Sequence, residues 1–153
     1  MTLKPADAPP VQTGLDILRA ASAGDIEAPA SATLLGWHAL ELEPGAVRVR
    51  FEARPEFYNP QGVVQGGFLA AMLDDTLGPA GFSLLDATSF APTINLSVTF
   101  VRQARAGYLF GEGRVTHRSR GFLHLEGRLT NEDGELIATA TATAAIKSQG
   151  GNE

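Results

Sequence analysis

The sequence NPQGVVQGGFLAAMLDDTLGPAGF, residues 59–82, begins as a loop, passes through Gly66 and Gly67, and continues as an apolar run. At about 100° per residue, one broad face of a helix starting at Gly66 collects Leu69, Met72, Leu73, Thr76 and Leu77. The run therefore predicts a helix at about 66–82 that packs this face on a sheet and forms the centre of the core. Two adjacent acids, Asp74 and Asp75, lie inside it, although acids are almost never buried without a partner or a chemical role.

Most of the remaining chain has the two-residue alternation of strands. Segments 34–42 and 46–54 predict a hairpin joined by the turn EPG, and NEDG at 131–134 is a second turn signal. Further strands are predicted at 93–102, 107–118, 121–130 and 135–147. Residues 13–23 predict a short helix, and 24–33 a loop. Because the helices are segregated from a mostly antiparallel sheet, the fold class is α+β.

The strand at 93–102 alternates throughout its length. One face carries Ile94, Leu96, Val98 and Phe100, and the other carries Thr93, Asn95, Ser97 and Thr99.

Length and composition restrict the classes of protein to consider. The 153 residues suit a single domain, which we expect at 13–147, between flexible segments at 1–12 and 148–153. A net charge of −5 argues against nucleic acid as a partner, and the absence of cysteine excludes disulfides and a thiol nucleophile. No apolar run reaches about 18 residues, so we expect no membrane-spanning helix. Without an apolar signal core at the N-terminus, a cytoplasmic location is expected.

The predicted helix combines small residues, acids and a glycine-rich start. Gly67, Ala71 and Gly78 form a strip on the face opposite the apolar one, and Asp74 and Asp75 flank it. A helix N-terminus offers free backbone N–H groups to an oxyanion, and glycine allows a ligand to come close. An oxyanion site together with carboxylates is suited to hydrolysis of an acyl group.

One helix cannot present both features to the same carbonyl group. Gly66 and Asp74 are eight residues apart in the sequence, which is about 12 Å along a helix axis. An antiparallel helix from a second, two-fold related subunit would bring Gly66 of one copy to Asp74 of the other. The sequence therefore favours a dimer if the protein is an enzyme of this kind.

The segment N59-P-Q-G62-V-V-Q65-G66-G67-F-L-A-A-M-L-D74 resembles the N-x-x-G-x-x-H-G-G-(x)6-D pattern of hotdog-fold acyl-CoA thioesterases, in particular the phenylacetate-degradation-type (PaaI-like) group. The resemblance covers roughly residues 33–147. It implies a hotdog fold, in which a mostly antiparallel sheet wraps one long central helix. It also implies hydrolysis of acyl-CoA to free acid and coenzyme A, by a homodimer or homotetramer, with no cofactor other than the coenzyme A of the substrate.

The resemblance implies a role for each matching residue. Asp74 is the catalytic carboxylate, as general base or nucleophile, and the backbone N–H of Gly66 polarises the thioester carbonyl. Asn59 positions substrate or water, and Thr93 assists the attacking water. Gln65 stands where the family usually has histidine; it can orient the thioester but cannot carry a proton charge near neutral pH.

Further residues are expected to contact the substrate. Gly67 and Asp75 border the reacting centre, and Arg118 and Arg120 are the arginines expected to hold the phosphates of coenzyme A, because guanidinium groups suit phosphate oxygens. Phe68 is expected to line the acyl pocket, to which these other aromatic residues could contribute: Trp37, Phe57, Tyr58 and Phe82. Core packing is the simpler expectation for Trp37.

The three histidines form no predicted site. His38, His117 and His124 lie in predicted strands away from the helix, and no ligand spacing predicts a metal site.

Two alternatives to a thioesterase remain open at the level of sequence. A dehydratase of the same fold would need a histidine near the helix, which the sequence does not supply. A hotdog module that binds acyl-CoA without hydrolysing it is consistent with Gln65, whereas the carboxylate of Asp74 favours hydrolysis.

Overall fold

The computed structural model describes residues 13–150, which form three α-helices and eight strands. The helices are α1 Gly14–Ala23, α2 Ala30–Leu35 and α3 Gly66–Phe82, with one 3-10 turn at Pro55–Phe57. The strands are β1 His38–Glu43, β2 Ala46–Ala53, β3 Ser89–Phe90, β4 Thr93–Phe100, β5 Gly107–Arg118, β6 Phe122–Thr130, β7 Leu136–Ala145 and β8 Lys147–Ser148.

Six strands form one antiparallel sheet in the order β1-β2-β5-β6-β7-β4, and β3 pairs with β8 in a second, two-stranded sheet. Helix α3 packs on one face of the large sheet and contacts β2, β4, β5, β6 and β7. The predicted α+β class and the hotdog arrangement of a sheet around a central helix are therefore confirmed.

The buried face of α3 is the one that its periodicity predicts. Leu69, Met72, Leu73, Thr76 and Leu77 are all buried, whereas Gly67, Ala71 and Gly78 are exposed. Glycines in β5 and β6 let α3 come close to the sheet. A Cβ atom at Gly111 would overlap Thr76 Oγ1, and one at Gly127 would lie 2.9 Å from Leu77 Cδ2. The helix therefore lies directly against the backbone of the central strands.

Helix α1 has the predicted position and a clear start signal. Thr13 is its N-cap, and the Thr13 side chain and Asp16 form a reciprocal capping box. At the first turn, a Cβ on Gly14 would overlap the carbonyl oxygen of Phe82, so α1 begins in contact with the end of α3.

The segment before β1 differs from the prediction. Residues 24–33 are not one loop, because α2 begins at Ala30, and the first strand begins at His38 and not at Leu34. Leu35 is buried in the last turn of α2, so its apolar character reflects helix packing and not a strand face. Gly36 ends α2 with φ 65°, a left-handed conformation that glycine adopts without strain.

The C-terminal boundary also differs in detail. Ser148, assigned to the tail by the sequence, pairs with Ser89, and the N–H of Gln149 donates to the carbonyl of Thr88 at 2.7 Å. The expected flexible segment 1–12 and the end of the expected tail, 151–153, lie outside the described residues. Within residues 13–150, no helix is both long and apolar enough to cross a membrane.

We predict that Gly111→Ala lowers the free energy of unfolding by about 1–3 kcal/mol, because the added methyl group overpacks the contact between α3 and β5. It would overlap Thr76 Oγ1 and lie 3.0 Å from Val49 Cγ2. Gly121→Ala is the matched control, because a Cβ there meets no atom within 4 Å. Urea unfolding of both variants tests this, and equal stability of the two variants would contradict it.

Candidate functional site

A β-bulge brings Thr93 to Asp74. The pairing register between β4 and β7 shifts between Thr93 and Asn95, so Thr93 pairs with Ala144 and points to the same face as α3. Its hydroxyl donates a hydrogen bond to Asp74 Oδ1 at 2.9 Å. The bulge therefore takes Thr93 out of the alternation of this strand, and its bond gives the half-buried Asp74 a defined orientation.

The start of α3 is shaped by a tight turn. Asn59 Oδ1 accepts hydrogen bonds from the N–H groups of Gln61 at 2.9 Å and Val63 at 3.4 Å. Gly62, with φ 74°, completes the turn. Asn59 thus orders the loop before the helix through its side-chain oxygen.

Gln65 is the N-cap of α3, and its side chain is exposed and makes no capping hydrogen bond. Its N–H donates to the carbonyl of Phe57 at 2.8 Å, which fixes where the helix begins. The N–H groups of Gly66 and Gly67 have no acceptor within the helix at this end. A Cβ on Gly66 would lie 3.0 Å from Phe100 Cζ, so the ring of Phe100 lies over this turn.

Phe68 lies in the same turn and stacks on Phe57, with ring centroids 4.2 Å apart and planes inclined by 12°. The guanidinium of Arg54 lies 5.1 Å from the centroid of Phe57 on a ring face. Phe57 is buried and Phe68 is half-buried. An aromatic pair therefore supports the glycine-rich turn from one side.

Asp75 lies on the other side of the strip from Asp74. Its side chain is half-buried, and Oδ2 is buried with no hydrogen-bond partner among the described residues. Burial, and secondarily the charge of Asp74, raise the pKa of the Asp75 carboxyl above its usual value. The backbone carbonyl of Asp75 accepts a hydrogen bond from Trp37 Nε1 at 3.0 Å.

Arg118 and Arg105 lie near opposite ends of α3. Arg118 is exposed and donates to the carbonyl of Leu84 at 2.9 Å, just beyond the C-terminal end of α3, and Arg120 is exposed in the turn between β5 and β6. Arg105 donates to the carbonyl of Gly62 at 3.2 Å, near the start of α3, and Arg102 forms an ion pair with Glu135.

The predicted site residues therefore occupy three regions along one chain. The first surrounds the start of α3, and its members are Asn59, Gln65, Gly66, Gly67 and Phe68. The second lies at the middle of the helix and holds Asp74 and Asp75 together with Thr93 of β4, and the third holds Arg118 and Arg120 beyond the C-terminal end of the helix. Asp74 and Thr93 are brought together, whereas Gly66 and Asp74 stay apart on the same helix.

Two side chains close to the predicted site residues are not predicted from the sequence to lie there. The sequence predicts Phe100 only as part of an apolar strand face, and it does not predict the bond from Trp37 to Asp75. Pro79 is a usable signal for the second, because a proline within a helix leaves the carbonyl four residues earlier without its usual donor.

A groove of about 850 Å³ lies on the sheet face away from α3 and contains none of the predicted site residues. Its arginines are paired with acids: Arg48 and Arg128 with Glu112, and Arg114 with Glu126. In residues 13–150 no group of three or more metal-ligating side chains comes together. The predicted site residues therefore lie outside this groove.

The family model of the thioesterase superfamily matches residues 61–138, which is about half of the chain and includes Gly66, Asp74 and Thr93. The chain belongs to the thioesterase superfamily. It is therefore a hydrolase of the thioesterase class, and the resemblance to PaaI-like hotdog thioesterases is confirmed by its structural relatives. A protein of Ralstonia eutropha JMP134, named as a thioesterase related to phenylacetic acid degradation, is 36% identical with a TM-score of 0.79, covering 83% of this chain and 97% of that one.

Two further relatives are less similar. A Mycobacterium tuberculosis protein named as an esterase is 30% identical over 104 residues, which are 63% of this chain and 74% of that protein. A Streptococcus mutans protein, solved bound to acetyl-CoA, shares the thioesterase fold with a TM-score of 0.68 at 24% identity, covering 73% of this chain and 89% of that one.

We predict that Asp75→Asn makes the protein more heat-stable relative to wild type as pH rises. The pKa of Asp75 is raised in the folded protein. Protonation of Asp75 therefore stabilises the fold, and this contribution is fully present below the pKa of aspartate in the unfolded chain, about 3.9. That contribution is lost as pH rises through the folded-state pKa. Asparagine cannot ionise, so the difference in midpoint temperature (variant minus wild type) should grow between about pH 4 and pH 7. Thermal unfolding across this range measures it, and a difference that is flat or falls with pH would contradict the assignment.

Proposed function

We propose that this thioesterase hydrolyses acyl-CoA to free acid and coenzyme A at a site shared between two subunits. The observation that carries the proposal is the hydrogen bond from Thr93 to Asp74 Oδ1, which holds a half-buried carboxylate beside an exposed strip of small residues. One oxygen is held by Thr93, and the other is available to a water molecule or to the thioester carbon. This arrangement fits a group that acts on a substrate lying along the strip.

The second element of the proposed site is the N–H of Gly66. It lies at the start of α3, where the helix dipole favours negative charge and no intrahelical acceptor competes. The exposed Gln65 beside it can donate a neutral hydrogen bond to the same oxygen. Both donors would stabilise the negative charge that develops on the thioester oxygen.

The reaction then balances with water as the only co-substrate. As a base, Asp74 takes one proton from water while the water oxygen bonds to the carbonyl carbon and the carbonyl electrons move to oxygen. The tetrahedral intermediate collapses, the carbon–sulfur bond breaks, and Asp74 returns the proton to the thiolate of coenzyme A. As a nucleophile, Asp74 instead attacks the carbonyl carbon and forms an acid anhydride as the carbon–sulfur bond breaks and the thiolate of coenzyme A leaves. Water then hydrolyses the anhydride to the free acid and regenerates the carboxylate of Asp74.

The same geometry supports a dimer. Strand β4 is an edge of the six-stranded sheet, and it exposes more than half of Ile94 and Phe100. An open edge with exposed apolar side chains favours pairing with another strand. Pairing of two β4 edges about a two-fold axis would extend the sheet and bring the α3 helices of the two copies together in antiparallel fashion. Gly66 of one copy would then face Asp74 of the other.

The acyl-CoA specificity rests on two supports. Arg118 and Arg120 are exposed at the far end of α3, where they can contact phosphates. Acetyl-CoA is bound by the Streptococcus mutans protein of the same fold. In this arrangement the small residues Gly67 and Ala71, and Phe68 in the first turn, border the acyl chain.

We predict that Asp74→Asn lowers kcat by roughly 10²-fold or more, because asparagine keeps the shape but cannot accept a proton. The affinity for coenzyme A should change much less, since the carboxylate acts mainly in the transition state. Free-thiol release from aryl-, short-, medium- and long-chain acyl-CoAs measures the first, and calorimetry with coenzyme A measures the second. Asp133→Asn, an exposed position in the turn between β6 and β7, is the charge-matched control.

The outcomes separate the alternatives. A large loss in Asp75→Asn with little loss in Asp74→Asn would transfer the catalytic role to Asp75. Wild-type protein that binds acyl-CoA but releases no thiol from any chain length would be a binding module. For an active enzyme, ¹⁸O found in Asp74 after a single turnover in H₂¹⁸O identifies the nucleophile route, because the base route places ¹⁸O only in the acid product.

A further inference from the structure

Pro79 interrupts the hydrogen bonding of α3 just after the proposed catalytic acid. In a regular helix the N–H of residue 79 donates to the carbonyl of Asp75. Proline has no N–H, and its ring pushes against that carbonyl. Pro79 lies inside α3, so the Asp75 carbonyl lacks its usual donor, in a part of the helix where an unmet carbonyl is costly.

Trp37 supplies a substitute donor. Its indole Nε1 donates to the Asp75 carbonyl oxygen at 3.0 Å, in a partly buried position, from 38 residues away in the chain. This bond joins residues that are 38 apart in the sequence, whereas the helical bond that it replaces would join residues four apart. It therefore ties α3 to the segment before β1, at the opposite edge of the sheet from β4.

The position of Trp37 is itself fixed by α2. The N–H of Trp37 donates to the carbonyl of Ala32 at 2.9 Å and closes the end of that helix. Gly36 lies against β2, where a Cβ would come within 2.7 Å of Glu52 Cβ. Arg54 of the segment after β2 donates to the carbonyl of Leu34 at 2.7 Å. The indole is thus presented by a short, well-anchored helix.

We propose that Trp37 is a positioning residue for Asp74. Its indole N–H replaces the backbone donor that Pro79 removes from α3. Thr93 on β4 holds the Asp74 side chain from one side, and Trp37 holds the next carbonyl from the other. The two bonds fix the rotation of this turn about the helix axis, and with it the direction of the Asp74 carboxylate. The catalytic part of this inference rests on the proposed function; the exchange of donors between Trp37 and residue 79 does not.

The test is a double-mutant cycle. Trp37→Phe keeps a ring but removes the donor, and Pro79→Ala restores a backbone N–H that can close the helical bond to Asp75. With Pro79 present, Trp37→Phe should lower kcat roughly tenfold to a hundredfold, with KM changed by less than about threefold, since small misplacements of a reacting group are costly. In the Pro79→Ala background, the same change should lower kcat by less than about threefold.

Ser83→Ala is the matched structural control. The Ser83 hydroxyl accepts a hydrogen bond from the N–H of Gly45 at 2.7 Å, so it also ties the end of α3 to the first hairpin, but far from Asp74. Its loss should lower the unfolding midpoint without changing kcat. If Trp37→Phe behaves like Ser83→Ala, with lower stability and unchanged kcat, the positioning role is overturned.

The cycle is also read by urea unfolding, which needs no turnover. Pro79→Ala should stabilise the Trp37→Phe background more than it stabilises wild type, because only there is the Asp75 carbonyl left without a donor. Additive effects would overturn the donor exchange. If the cycle is non-additive in unfolding but the wild-type protein hydrolyses no acyl-CoA, the donor exchange is supported and the proposed function is rejected. Since Trp37 is the only tryptophan, its indole N–H signal in an NMR spectrum reports the bond directly.

Discussion

The fixed rise of an α-helix, about 1.5 Å per residue, is the constraint on which the proposed shared site depends. Gly66, which offers the free N–H, and Asp74, which offers the carboxylate, are on the same straight element. Eight residues of α-helix separate them by about 12 Å, which is too far for both to reach one carbonyl group. A second copy of α3, running in the opposite direction, removes the problem, and the exposed edge of β4 offers the surface through which that copy can approach.

The sheet controls α3 more tightly than apolar packing alone would. Glycines in β5 and β6 let the helix lie against their backbones, so rotation of the helix would create overlaps at Thr76 and Leu77. The two edges add polar bonds, from Thr93 on β4 and from Trp37 before β1. These contacts leave one face of α3 open, and that face carries the strip of small residues between the two acids.

The central helix and the main strands were predictable because their residues repeat with the period of the element they form. The bounds of α3, 66–82, follow from its apolar face and its Gly-Gly start. Helix α2 was missed because its six residues are too few to show a helical period. The inward turn of Thr93 depends on a bulge, and a bulge changes register without changing the alternation of residue types. The resemblance nevertheless implied a place for Thr93 in the site, as the residue that assists the attacking water.

A mixed dimer of two damaged subunits tests the shared site most directly. Gly66→Pro removes the proposed N–H donor at the first position of α3, where proline suits a helix and where Gln65 already has the extended backbone that precedes proline (φ −63°, ψ 139°). Asp74→Asn removes the carboxylate. Co-expression with two different tags isolates a dimer that contains one subunit of each kind. If each site joins Gly66 of one subunit to Asp74 of the other, this dimer regains one intact site of two and about half of wild-type activity, while both parent dimers stay nearly inactive. A mixed dimer as inactive as its parents would show that each site lies within one chain and would contradict the shared site.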